Sequence, residues 1–208
     1  MNMQRSTLVR YSALGSLFGV LIFTVLVIAL HVLRPQMNPL SHAISEYALG
    51  PFGFLMTIAF VMRGLGELLL VIGFAAGTMR SNRSWAGLIF LALATLCSFL
   101  VATFPGNPQN MSMLIVHSVS AFVGFGSLII AALAWAWRFR KEARLRSSAL
   151  ISFLLGLLML VSLVSLVISA SYALGLAERM LEIFIVLWLY FMAWRLSTFA
   201  SSPSLAPS

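Results

Sequence analysis

The chain has 208 residues, of which 61% are hydrophobic and 9% charged, with a net charge of +8 and a mean hydropathy of +1.03. An ordinary soluble domain carries about 25% charged residues, so this composition excludes a water-soluble fold. The basic excess does not indicate nucleic-acid binding either, because the Lys and Arg residues flank apolar runs instead of covering an open face.

In chain order, apolar runs over 11–33, 52–79, 85–104, 113–137, 149–170 and 180–196 read as transmembrane helices. A helix needs about 20 apolar residues to cross a bilayer. Barrel strands would alternate in polarity, and these runs do not. The expected fold class is all-α, a polytopic membrane helix bundle of six transmembrane helices. It forms one domain over 1–200, followed by a disordered cytoplasmic tail over 201–208. The first run follows Arg5 and Arg10 but is longer than the roughly 7–15 apolar residues of a signal peptide, so it reads as an uncleaved span.

In the first connection, Asn38-Pro39 reads as an N-cap followed by Pro at the first helical position. Gly50-Pro51 then reads as a stop and restart. A short interfacial helix over 39–49 is expected, with His42, Ser45 and Glu46 on one face at i, i+3 and i+4. A His beside a Ser and a carboxylate invites a nucleophile, base and orienter. The plainer reading is a polar interfacial helix capped by its own side chains.

Span two holds Arg63 and Glu67 far from either end. A charge at the bilayer centre costs about 2.5–3.5 kcal/mol on insertion scales, and the i, i+4 spacing lets these two pair. They read as a structural ion pair, or as a substrate or proton site. Gly15 and Gly19 in span one, and Gly73 and Gly77 in span two, are small-xxx-small pairs that let helix backbones approach. Cys97 in span three is the single cysteine, so no intrachain disulfide forms. Phe104-Pro105-Gly106-Asn107-Pro108 reads as a rigid turn. His117 follows, about one turn inside span four, either bonding a neighbouring helix or facing an outer cavity. On span five, Ser162, Ser165, Ser169 and Tyr172 form a stripe expected to turn inward. It leads toward Glu178, Arg179 and Glu182.

One set of helix ends carries Arg5, Arg10, Arg80, Arg83, Arg138, Arg140, Lys141, Arg144, Arg146 and Arg195, and the other only Arg34 and Arg179. The positive-inside rule places both termini in the cytoplasm, and the basic loop 138–146 suits anionic headgroups. There is no H-E-x-x-H, no Asp and no second intramembrane His at ligand spacing, so no metal site is expected. There is no Walker loop and no G-x-G-x-x-G between a strand and a helix. No cofactor is expected.

The segment Asn38-Pro39-Leu40-Ser41-His42-Ala43-Ile44-Ser45-Glu46-Tyr47, the turn Phe104-Pro105-Gly106-Asn107-Pro108 with His117 after it, and the six-span layout resemble a prokaryotic membrane family, domain of unknown function 998. The resemblance implies a protein of the prokaryotic plasma membrane and no particular activity. The family often has an Asp where this chain has Asn107, so no acid or metal role is implied there.

The polar residues gather in the outer half. The leading expectation is an outward-facing pocket that binds a lipid headgroup or a small polar ligand, built from His42, Ser45, Glu46, Arg63, Glu67, Asn107, His117 and Glu182. Arg63 and Glu67 form its floor. The expected partners are membrane lipids and that ligand, with no nucleic acid. Two alternatives stand beside it: a membrane-embedded lipid hydrolase using Ser45 with His42 or His117, and a small proton-coupled transporter working through Glu67. No catalytic residue is assigned.

Overall fold

In hydrocarbon, backbone N–H and C=O groups must be satisfied within the segment, which makes helices of long apolar runs. The computed structural model describes residues 3–77, 83–141, 145–169 and 172–201. Among these residues it is all-helical, with no strand: α1 (Met3–Leu33), a short 3-10 helix (Ile44–Ala48), α2 (Gly53–Gly77), α3 (Trp85–Thr103), α4 (Met111–Phe139), α5 (Arg146–Ile168) and α6 (Leu174–Ser201). The helices α1 to α5 are long and apolar enough to cross a membrane. Helix α6 carries Glu178, Arg179, Glu182 and Arg195, yet Leu181, Ile185, Trp188, Leu189 and Met192 along it are fully buried.

Each helix packs against its neighbours in the chain, and α6 returns to α1, so the six close a ring; α6 also touches α2 across it. Large apolar side chains such as Phe18, Val25, Ile89, Val119, Leu150 and Val161 point outward. So much exposed apolar surface on a folded chain belongs against lipid.

The glycine pairs work as close-approach points. A Cβ on Gly19 would collide with the Met62 carbonyl, and one on Gly66 would sit 3.2 Å from the Ser16 carbonyl, so α1 and α2 meet almost backbone to backbone. Gly73 leaves room for Leu196 and Ser12 in the same way.

The two ends of the ring differ in chemistry. At one end Arg5, near the start of α1, donates to the Ala76 carbonyl at the end of α2. There Trp85, Trp137 and Trp194 are half-exposed, with Arg83 5.0 Å, Lys141 3.6 Å and Arg195 5.5 Å from their ring centres. At the other end lie the α1–α2 connection, the α3–α4 turn and the start of α6. These are referred to below as the tryptophan end and the loop end. Arg80, Arg144 and the tail beyond Ser201 lie outside the described residues.

Several expectations need correction. The interfacial helix over 39–49 does not form. Asn38 instead opens a turn, its side-chain oxygen accepting from Leu40 N at 2.9 Å and its carbonyl from His42 N at 2.9 Å. An Asn side chain competes for backbone amides in this way, which favours turns over helix. Only Ile44–Ala48 winds, as a 3-10 helix, so His42 lies outside it and does not share a helical face with Ser45 and Glu46. Gly50 has φ +79°, which glycine adopts without strain, and Phe52 follows at φ +62° before α2 restarts. The stripe on α5 is not turned inward as a whole: Ser162 is buried, but Ser165 is exposed and bonds its own Val161 carbonyl, and Tyr172 is 70% exposed. The buried polar bridge of α5 is Ser152, which donates to the Ala132 carbonyl (2.8 Å) and accepts from Trp188 Nε1 (2.9 Å). Helix α6 begins at Leu174 instead of 180, which puts Glu178 and Glu182 on consecutive turns of one helix.

Candidate functional site

Arg63 sits midway along α2 and is 5% exposed. Its Nε donates to Glu67 Oε1 at 3.0 Å, the i, i+4 pair legible in the sequence, and its Nη1 donates to Glu182 Oε1 on α6 at 2.6 Å. The Phe23 ring lies 5.6 Å from the guanidinium carbon. Glu67 is fully buried, and its second oxygen accepts from Ser98 Oγ on α3 at 2.9 Å. Arg63 thus ties α2 to α6, and Glu67 carries the link on to α3. Glu182 differs from Glu67. It is 5% exposed, and its Oε2 has no hydrogen-bond partner among the described residues.

One turn earlier on α6, Glu178 reaches the loop, accepting from the Ile44 amide at 2.7 Å. Arg179 beside it clamps the same loop. Its Nη1 donates to the carbonyls of Pro39 (3.0 Å) and His42 (2.7 Å), and its Nε to His31 Nε2 (2.9 Å). Arg34 holds the far side of the loop through the Tyr47 and Leu49 carbonyls, at 3.2 and 2.6 Å. The α1–α2 connection is therefore fixed over the start of α6 by two arginines and a carboxylate.

A cavity lies inside the ring beneath this loop. Arg63 and Phe60 reach it from α2, Cys97 and Ser98 from α3, His117, Ser120 and Phe125 from α4, Glu178 and Glu182 from α6, and Ser45 from the 3-10 helix. The volume open to the centres of water-sized groups is about 30 Å³, and one water needs about 10–15 Å³ by that measure. It therefore has room for about two such groups. The His117 Nδ1–H donates to the Phe104 carbonyl at 2.8 Å, which fixes the ring against the α3–α4 turn.

Of the residues singled out in the sequence, Ser45, Arg63, His117, Glu178 and Glu182 face this cavity, and Glu67 stands behind Arg63. His42, Glu46 and Asn107 do not line it. His42 Nδ1 lies 3.2 Å from Ser41 Oγ, Glu46 accepts from its own Ala43 amide (3.1 Å), and the Asn107 side chain accepts from the Gln109 amide (2.9 Å) inside the turn. Sequence reasoning does not single out Ser98 or Ser120. Their only signal is a hydroxyl at mid-depth in an apolar helix, which many membrane helices carry. Among the described residues no hydrogen bond joins Ser45 to either histidine, and no group of three or more His, Cys, Asp or Glu side chains is placed to hold a metal ion.

A ring of helices, five of them long and apolar enough to cross a membrane, around a cavity lined in part by charged side chains defines a polytopic membrane protein. The chain belongs to the family described as "Protein of unknown function (DUF998)", whose model matches residues 17–195. Neither the curated proteins nor the solved structures compared with it gave a match.

Proposed function

We propose that this is a binding protein of the plasma membrane whose cavity opens at the loop end, away from the cytoplasm, and takes a small polar ligand or the tip of a lipid headgroup. The observation that carries this reading is the convergence of Ser45, Arg63, Ser98, His117 and Glu182, from five separate elements, on one cavity. Ionisable groups at membrane depth are costly and mark functional sites by default. The orientation is supported by the tryptophan end, where cations stack on half-exposed Trp rings as at a cytoplasmic interface. Both termini are then cytoplasmic. The small volume admits the charged tip of a headgroup and leaves its phosphate outside.

The two alternatives receive less support. A hydrolase needs a base on Ser45, and among the described residues no hydrogen bond joins Ser45 to His42 or His117. A proton-coupled transporter needs a polar path past Glu67, and the next buried side chains of α2 toward the tryptophan end are Leu70 and Phe74, both fully buried.

Ser45 lines the cavity from the loop end and is only half-buried. In a Cys97→Ser background, a membrane-impermeant methanethiosulfonate added outside intact cells should modify Ser45→Cys, with Cys97→Ser alone as the unlabelled control. Modification only from the cytoplasmic side, or none from either side, would overturn the proposal.

A further inference from the structure

We propose that the group this cavity accepts is a primary ammonium, seated on Glu182 Oε2; this rests on the pocket reading above and adds the charge and donor count of the ligand. The argument starts from a charge imbalance. Arg63 is one cation bonded to two carboxylates, Glu67 and Glu182, so this triad has a formal excess of one negative charge. The position of that excess is visible. Glu67 has both oxygens bonded, Glu178 reaches the Ile44 amide, and Glu182 uses one oxygen on Arg63 and leaves the other buried and unpartnered against the cavity. A buried carboxylate oxygen without a donor is costly. A ligand that brings a positive charge and N–H donors removes both defects together.

The surroundings choose among cations. A divalent metal wants about six oxygen ligands or several anionic groups, and no such group is placed here among the described residues. A primary ammonium has three N–H donors. Glu182 Oε2 accepts one, and the hydroxyl oxygens of Ser45 and Ser120 line the same cavity. Ser98 gives its hydrogen to Glu67 and keeps its oxygen as a further acceptor on the cavity wall. The rings of Phe60 and Phe125 complete the wall, and aromatic faces attract desolvated cations. The space fits an ammonium and the methylene next to it. A quaternary ammonium has no N–H to offer Oε2 and is larger than the cavity.

The test reads the rate at which methyl methanethiosulfonate, which transfers only a methylthio group, modifies Cys97 on the cavity wall in purified protein titrated with ethanolammonium chloride, choline chloride or sodium chloride at constant pH and ionic strength. At ten times its dissociation constant ethanolammonium should slow modification about tenfold, while choline and sodium leave the rate unchanged. Glu182→Gln should lose this protection. It should still fold, because Gln keeps an acceptor for Arg63. Should Glu182→Gln fail to fold, Ser45→Ala should still weaken protection by ethanolammonium. Nanodiscs separate the sources: slow modification in phosphatidylethanolamine but not in phosphatidylglycerol identifies a lipid headgroup, and protection by free ethanolammonium alone identifies a soluble amine.

Equal protection by choline or sodium would overturn the proposal. So would protection by acetate or phosphate in place of ethanolammonium, which leaves the pocket standing and reverses its charge preference. Absence of any ammonium effect on the rate would overturn the proposal as well. If Cys97 cannot be modified even without ligand, the pocket reading itself falls.

Discussion

Replacing Arg63 by Met should be the most damaging single change in this protein. Arg63 is one cation between two carboxylates, bonded at 3.0 Å to Glu67 and 2.6 Å to Glu182, all three at most 5% exposed. Hydrogen bonds to charged groups contribute about 1.5–3 kcal/mol each, so losing two of them costs about 3–6 kcal/mol. Breaking a buried ion pair from one side costs about 3–5 kcal/mol by direct comparison. For a chain of this size that lowers Tm by about 6–20 °C. Glu67→Gln should behave differently. It leaves Arg63 paired with Glu182, and Gln accepts from Arg63 through its oxygen while its NH2 donates to a reoriented Ser98 hydroxyl, so the loss should be about 1 kcal/mol. Removing Arg63 and Glu67 together does not rescue the fold, because Glu182 is then buried without its cation. Rescue requires the triple replacement Arg63→Met, Glu67→Leu and Glu182→Met, since apolar residues of similar volume often substitute for a buried ionic triad without loss. Thermal unfolding of the detergent-solubilised variants, followed by tryptophan fluorescence, checks the order. Equal losses for Arg63→Met and Glu67→Gln, or full rescue by the Arg63 and Glu67 double replacement, would refute the three-member cluster.

Gly19→Val should separate α1 from α2 and lower Tm by at least about 4 °C, because its Cβ meets the Met62 carbonyl, whereas Gly126→Ala, with nothing within 4 Å of the new methyl, should be neutral or slightly stabilising. In a Cys97→Ser background an impermeant maleimide outside the cell should label Ser41→Cys and spare Ser147→Cys, both exposed positions; the reverse pattern would invert the orientation. A fluorophosphonate probe should leave Ser45 unmodified, because among the described residues no hydrogen bond joins it to His42 or His117; labelling that disappears in Ser45→Ala would establish the hydrolase.

The class of fold and the first ion pair are fixed by local chemistry. Long apolar runs must be helices in hydrocarbon, and a period of 3.6 residues brings Arg63 and Glu67 together whatever the rest of the chain does. The same holds for the glycine pairs, which mark close approach before any partner is known. The fold decides everything that depends on how helices turn and slide against one another. Glu182 becomes the second anion of Arg63, Ser98 the donor to Glu67, and His117 a wall of the same cavity only because α2, α3, α4 and α6 meet at one depth. The α1–α2 connection illustrates the limit most clearly. Its own residues spell a capped helix over 39–49, but Glu178 and Arg179, more than 130 positions away, draw its amide and carbonyls onto α6 and leave only the five residues Ile44–Ala48 wound. A periodic pattern records which residues share a face of one helix. It does not record which face of another helix will meet them, because that is set by the packing of the whole ring.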